Sequence, residues 1–486
     1  MEFKVNNQLE LSSYDVVVLP LCEGQSVDHK ELLDVVKPYL NKDFFEAKKE
    51  TYFTISASSA EKPVQIILAG LGKKEEVYFE TATDVIGAGV KQAVSKKPSR
   101  VAVYLNELSD IVCSDKLSAI AKVSALASYR FDKFLSSSKE AKKLESLTFI
   151  DSHEDAETAV ERGYSLAQSI LIARKLVDEP ANIMKPKKLA EEATRVCNEV
   201  GIEINVMGRS EIEALNMNAF LSVAKGSDEE PQLIVMKHMG DPSSSEITAL
   251  VGKGLTYDSG GYSIKPTDSM MTMKSDMGGS AAVIGAMHEI GKRKPKINVV
   301  GIVATCENMI SGHAYLPGDI LTSMSGKTIE VVNTDAEGRL TLADAITYAI
   351  EKEHACRIVD ICTLTGAVVV ALGEEYAGVI TRDDNLWDDV YKASQASLEP
   401  VWRMPINKAL EDKNKSSVAD LKNSGGRWGG CCSAGAFVGA FAQDKPWIHL
   451  DIAGTAFIET EKPYLTKGGT GYGVHLLAEL VSLWAK

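Results

Sequence analysis

The apolar positions of residues 1–152 switch repeatedly between a period of two and a period near 3.6, which mark strands and helices respectively. Strands are predicted at Tyr14–Leu19, Tyr52–Ser56, Val64–Leu68, Val101–Leu105 and Leu147–Ile150, and helices at Asp28–Leu40, Phe79–Ser95 and Lys116–Phe134. Parallel strands joined by crossover helices produce this alternation. A long polar, amphipathic stretch follows, reading as a connecting helix over 153–178 that leads into a second domain at 179–486. After Pro180 and Pro186 a helix is predicted at Lys188–Val200. Strands then follow at Ile202–Val206, Gln232–Lys237, Thr248–Val251, Ile297–Ala304, Thr328–Val332 and Arg357–Cys362, with helices at Gly279–Gly291, Leu340–Glu353 and Asp384–Ala396. The fold class is α/β in two domains, a smaller N-terminal and a larger C-terminal one. Lys413–Gly430, rich in Asn, Ser and Gly and carrying Trp428, is expected to be a loop of the kind that walls an active site.

Composition fits that division. The chain has 486 residues, 45% of them hydrophobic and 25% charged, an ordinary globular balance that excludes a disordered or collagen-like protein. Lys and Arg number 53 against 67 Asp and Glu, a formal net charge of −14. That acidity suits neither a nucleic-acid backbone nor an anionic membrane as a partner. The N-terminus lacks the basic segment and apolar stretch of a signal peptide, and no apolar run reaches a membrane span. The eight cysteines form no CxxC. A cytoplasmic protein of a reducing compartment is expected, with the adjacent Cys431 and Cys432 as small core residues.

Two islands carry the chemistry. The first, Val251-Gly-Lys-Gly-Leu-Thr-Tyr-Asp-Ser-Gly-Gly-Tyr-Ser-Ile-Lys-Pro266, follows an apolar strand, so Lys253 and Asp258 are expected just past a strand's carboxyl end, where open α/β sheets place ligands. Asp276 follows, before a new helix. The second, Asn333-Thr-Asp-Ala-Glu-Gly-Arg-Leu340, also follows a strand; if extended, residues 333, 335, 337 and 339 point to one side. Four carboxylates (Asp258, Asp276, Asp335, Glu337) with two lysines and an arginine suggest a site for hard or borderline dications such as Mg, Mn or Zn. Four negative charges match two such ions, and neither island contributes a histidine.

Blander readings compete with this one. Asp276 and Asp335 stand where short acids cap helices. Asp258-Ser-Gly-Gly261 echoes a serine-protease nucleophile segment, but Tyr257 and the α/β pattern speak against it. His288, alone in an apolar helix, reads as a satisfied core residue, and Gly468–Gly473 as a turn leading into the terminal helix. Acids with Lys and Arg also suit a two-metal phosphoesterase, and a scaffold protein could keep the fold without catalysis.

Gly252-Lys-Gly-Leu-Thr-Tyr-Asp-Ser-Gly-Gly261 through Lys265, Lys274-Ser-Asp-Met-Gly-Gly279 and above all NTDAEGRL at 333–340 resemble the leucyl (cytosol) aminopeptidase family of two-zinc exopeptidases. The resemblance runs from Ala173-Arg-Lys-Leu through Pro180-Ala-Asn182 to Leu477 and, in length and layout, covers the N-terminal region. It implies a macro-like N-terminal α/β domain and a three-layer α/β/α metallo-exopeptidase domain. It also implies that Asp258 and Glu337 bridge two ions, that Lys253 and Asp276 complete a tighter site, and that Asp335 completes an exchangeable one. The ions would be Zn or Mn, with Mg or Co possible at the exchangeable site. Lys265 and Arg339 would be catalytic, Arg339 holding a bicarbonate. Met273, Thr363, Gly366, Ala453 and Ala456 would form the side-chain pocket, whose small last member leaves room for first residues larger than leucine. The implied reaction is release of N-terminal amino acids, leucine and other mainly hydrophobic residues, by a hydroxide bridging the metals. Substrates would need a free N-terminal amine, and the assembly would be a homo-hexamer.

Overall fold

The computed structural model describes residues 1–59, 62–109, 111–136 and 143–485. Its contacts divide the chain into two units. The first is Met1–Gln168 with Thr460–Lys467; the second is Ser169–Glu459 with Gly468–Lys486. The division falls inside one helix, Ala156–Asp178.

The first unit holds a six-stranded sheet of β1 (Glu2–Asn6), β2 (Val16–Cys22), β3 (Tyr52–Ser59), β4 (Lys62–Gly72), β5 (Arg100–Tyr104) and β6 (Ser146–Ile150), in the order β1-β6-β5-β2-β4-β3. Among the described residues only the β3–β4 pair of this sheet is antiparallel. Along β2 every residue is buried, and the side chains alternate between two cores: Val16 and Val18 in one, Val17 and Leu19 in the other. A sheet covered on both faces requires this continuous apolar run. The helix expected over Asp28–Leu40 is confined to Lys30–Val36, because Pro38 has no N–H to continue the ladder. The helix expected to reach Phe134 runs from Ser114 to Ala127, where Ser128 takes the last carbonyls with its N–H and its hydroxyl.

The second unit contains β7 (Glu203–Met207), β8 (Gln232–Met239), β9 (Ile247–Asp258), β10 (Asn298–Asn308), β11 (Ile320–Thr322), β12 (Thr328–Glu330), β13 (Arg357–Cys362), β14 (Ala377–Ile380), β15 (Val401–Arg403), β16 (Leu421–Lys422) and β17 (Trp447–Asp451). Eight of these form the main sheet, ordered β15-β14-β17-β13-β9-β10-β8-β7, with β17, β13, β9 and β10 parallel at its centre. The strand expected at Thr328–Val332 is the shorter β12, and it lies in a separate small sheet, β11-β12-β16. Helices Gly278–Arg293, Gly338–Glu351 and Asp384–Ser397 stand close to their predicted spans. Chain order reverses at β9, whose neighbours are β10 and the later β13, and the crevice beyond such strand ends is the favoured ligand site of open α/β sheets.

Among the described residues no helix is long and apolar enough to cross a membrane. Cys431 and Cys432 are buried, and His288 is buried with its Nδ1 2.9 Å from the Ser169 hydroxyl. Gly473, at φ +95°, begins the terminal helix Val474–Trp484.

Candidate active site

Strand β9 runs further than its apolar stretch suggests, because β10 pairs with it along its whole length, as far as Asp258 opposite Asn308. Lys253 and Asp258 are therefore strand residues rather than loop residues. Their separation of five would place them on opposite faces of a regular strand. The pairing shifts between Cys306 and Glu307, whose partners are Leu255 and Tyr257, so Thr256 is an extra residue. This bulge returns Asp258 to the side of Lys253.

Beyond β9 the chain turns back through Gly260 (φ +85°) and Gly261 (φ +61°), closed by a bond from the Lys265 N–H to the Ser259 carbonyl. A Cβ on Gly260 would lie 2.8 Å from Asp335 Oδ1, so glycine there lets the second island approach. Thr334 fastens the two islands: its hydroxyl donates to the Gly260 carbonyl at 2.7 Å and accepts from the Ser263 N–H at 2.7 Å. Residues 333–337 form a turn rather than an extended strand, with Asn333 Oδ1 accepting from the Asp335 N–H. Helix Gly338–Glu351 starts immediately after it. Neither Asp276 nor Asp335 is the N-cap of the helix that follows it. The residues at the cap positions are Met277 and Glu337, and neither makes a side-chain capping bond.

The carboxylates face the two lysines instead. The Lys253 ammonium lies 2.8 Å from Asp276 Oδ1 and 2.9 Å from Glu337 Oε1, and it donates to the Thr363 carbonyl at 2.9 Å. Lys265 bridges Asp258 Oδ2 at 2.8 Å and Asp335 Oδ1 at 2.6 Å. Asp258 Oδ1 accepts from Asn308 Nδ2 at 2.7 Å, and Asp276 Oδ1 from the Thr363 hydroxyl at 2.8 Å. Asp276 Oδ2 and Glu337 Oε2 are buried without a hydrogen-bond partner among the described residues. Buried carboxylate oxygens are rarely left so. Asp258, Asp335 and Glu337 each offer an oxygen within 4.8 Å of the others. The donor set of carboxylates and one amine, with orphaned oxygens, fits hard or borderline divalent cations.

Burial raises Asp258, Asp276 and Asp335, whereas Lys253 and Lys265 overcome the burial of Glu337 and hold it below its ordinary value. Burial, with Glu337 and Asp276 beside it, pushes Asp258 up to about 8. Burial raises Asp276 to about 6 although Lys253 opposes it. For Lys253, burial alone would lower the pKa, but Asp276, Glu337 and Asp258 outweigh it and hold the ammonium well above its ordinary value. Lys265 behaves likewise, raised chiefly by Asp258 against the pull of burial.

These groups open into a cavity of about 560 Å³, also lined by Met273, Thr363, Gly366 and Ala453. Ala456 is absent from its wall; it is 4% exposed and packs beside Gly278. Arg339 also lies off the cavity lining, 7% exposed, donating from Nη1 to the Asn423 carbonyl at 2.8 Å. Its Nε is a buried donor without a partner among the described residues, and burial lowers its pKa. Sequence reasoning missed Asn308 and Asn423, which have no motif of their own. Asn308 holds Asp258, and Asn423 takes the Val332 N–H and donates to the Asn333 carbonyl at 2.6 Å. A second buried group, Asp360, Cys362 and His449, lies away from the cavity. Its carboxylate is already occupied by Trp447 Nε1 at 2.7 Å and His449 Nδ1 at 2.6 Å.

Comparison with known proteins identifies the family. Residues 171–478 match the cytosol aminopeptidase family, catalytic domain, and residues 20–138 match the same family's N-terminal domain. A Clostridium perfringens protein named "Probable cytosol aminopeptidase" is 45% identical over 477 residues, 96% of each chain. One of the same name from Alkaliphilus oremlandii is 40% identical over 495 residues, 99% of each. Among solved structures, the bottromycin maturation enzyme BotP in complex with Mn superposes with a TM-score of 0.86 at 29% identity, covering 97% of this chain and 100% of that one. The chain belongs to the cytosol aminopeptidase family and is a metal-dependent peptidase.

Proposed function

We propose that the chain releases N-terminal amino acids, leucine and other mainly hydrophobic residues, from peptides with a free N-terminal amine, using two divalent ions per subunit. The observation that carries this reading is the convergence of Lys253, Asp258, Asp276, Asp335 and Glu337 on one cavity, with two carboxylate oxygens left unpartnered. Asp258 and Glu337 would hold both ions, Lys253 and Asp276 one of them, and Asp335 the other. Zn or Mn suits these donors, with Mg or Co possible at the Asp335 position. Such ions supply Lewis acidity toward the scissile carbonyl and lower the pKa of a bound water.

The chain's own groups do the rest. Lys253 ligates only as a neutral amine, so it must give up the proton that its carboxylate neighbours now favour. Lys265 keeps its charge at the cavity wall, where it stabilises negative charge developing on the substrate oxygen. By resemblance Arg339, which lies off the cavity lining with its Nε unpartnered among the described residues, would hold bicarbonate, an anion able to move a proton where neither island supplies a histidine. Met273, Thr363, Gly366 and Ala453 form the wall against which an apolar first side chain packs. By resemblance the working form is a cytoplasmic homo-hexamer.

The test is hydrolysis of leucine nitroanilide after chelation and after adding back Zn, Mn, Mg or Co, with acetyl-leucine nitroanilide and nitrophenyl phosphate in parallel. Metal-restored turnover of the free-amine substrate alone is expected. Cleavage of the phosphate ester in its place, or turnover indifferent to chelation, would overturn the assignment.

A further inference from the structure

Two of the stretches that wall the side-chain pocket belong to different parts of the chain: one follows β13 and contains Thr363 and Gly366, the other follows β17 and contains Ala453. One buried carboxylate ties them together. Asp451, the last residue of β17 and fully buried, accepts at Oδ1 from the N–H groups of Leu364 at 3.1 Å, Thr365 at 3.4 Å and Ala453 at 3.2 Å. At Oδ2 it accepts from the Thr365 hydroxyl at 2.6 Å. That hydroxyl in turn accepts from the Val368 N–H at 3.1 Å, capping helix Gly366–Leu372. The stretch so held begins with Thr363, whose carbonyl takes a bond from Lys253 and whose hydroxyl donates to Asp276.

We infer that Asp451, acting through the Thr365 hydroxyl, is a positioning residue that sets the two pocket walls in register with each other and with the Lys253–Asp276 edge of the metal centre. Asp451 itself touches no substrate; it is absent from the cavity lining. A buried carboxylate satisfied by four donors has little freedom to move, so the walls it holds inherit its position. The inference rests on the aminopeptidase reading and adds the residue that fixes first-residue selectivity.

The tests are Asp451→Asn, Thr365→Val and Thr365→Ser. Asparagine keeps an acceptor for the three N–H groups but presents a donor to the Thr365 hydroxyl. Valine keeps the shape of threonine without the hydroxyl, and serine keeps the hydroxyl. Steady-state kinetics on leucine and glycine nitroanilides are read beside metal content and calorimetric binding of free leucine to the Mn-loaded protein. Asp451→Asn and Thr365→Val are expected to keep the parent's metal content and raise KM for the leucine substrate more than they lower kcat. They should also lower the leucine-to-glycine preference by about tenfold or more, with a parallel loss of leucine binding. Thr365→Ser is expected to restore most of that preference. Three results would overturn the inference: loss shared equally by both substrates, an unchanged preference in Thr365→Val, or a serine variant that behaves like the valine one. A parent protein that neither turns over leucine nitroanilide nor binds leucine would overturn the aminopeptidase reading and this inference with it.

Discussion

Replacing Gly338 with alanine puts a methyl group where Lys253 already stands. A Cβ built on Gly338 lies 2.4 Å from Lys253 Cε, 2.7 Å from its Cδ and 2.7 Å from its Nζ. Carbon atoms in contact sit about 3.5–4.0 Å apart, so the lysine must retreat by ~1 Å or the helix start must move. Lys253 is 3% exposed, and its ammonium is held in place by Asp276, Glu337 and the Thr363 carbonyl. A retreat of ~1 Å stretches its three polar contacts, now 2.8–2.9 Å, beyond hydrogen-bond range. Overpacking of this kind costs about 1–3 kcal/mol of folding stability. The functional cost is larger, because a nitrogen ligand must reach to about 2.0–2.1 Å of a zinc-sized ion and a ligand displaced by ~1 Å cannot. Elemental analysis after dialysis against Zn or Mn should find about one ion per chain in Gly338→Ala against two in the parent, with turnover of leucine nitroanilide lost. Gly312→Ala, where an added Cβ meets nothing within 4 Å, is the control and should keep both ions. If Gly338→Ala binds two ions with parental affinity, Lys253 is not a ligand and the assignment of the tighter site fails.

Other expectations follow from the same contacts. Lys265→Ala should keep its metal and lose about 10²–10³ in kcat, the scale of removing one donor to a developing oxyanion; loss of metal as well would refute the division of labour between the two lysines. Because Asp258 is raised to about 8 and Asp276 to about 6, the metal-free site holds protons that ions must expel. Apparent metal affinity should therefore climb from pH 6 to about 8, and a titration series showing no such rise contradicts the crowding argument. Asp344, fully buried and pushed up to about 7 by its burial, accepts from the N–H groups of Phe220 and Met324. A carboxyl with a raised folded pKa opposes folding increasingly as pH rises from its unfolded value, about 3.8, toward 7. Denaturant unfolding should thus show the parent losing stability relative to Asp344→Asn over that range; a constant difference would mean that the charge is not penalised.

Periodicity made most of the fold legible. The strands that sequence analysis placed are marked by alternation, as in β7, or by an unbroken apolar run that is buried throughout, as in β2 and β10. What escaped had a weak or local signal. Strand β1 alternates exposed and half-buried residues over only five positions, and helix Gly366–Leu372 is only seven residues long and mostly valine and alanine. Thr365 caps that helix by accepting from the Val368 N–H, and the Thr365 hydroxyl is itself held by Asp451, a residue 86 positions away. Local pattern cannot contain such information.

The site shows the same limit from the other direction. Its acids, lysines and glycines were legible as a set, because crowded carboxylates flanked by glycine demand a cation. Their arrangement was not. Lys253 and Asp258 share a side of β9 only because Thr256 is an extra residue, and that bulge is a property of the pairing with β10 rather than of the segment itself. Likewise Asp335 reaches Lys265 across a turn fixed by Thr334, Asn333 and the glycine at 260, so the alternation of 333, 335, 337 and 339 is irrelevant to which groups meet. Arg339 lies one step past the helix start and faces Asn423, just beyond β16, while its motif neighbours Asp335 and Glu337 line the cavity. A signature run thus specifies which groups are present. The long-range contacts of threonine and asparagine residues that carry no signature decide where each of them points.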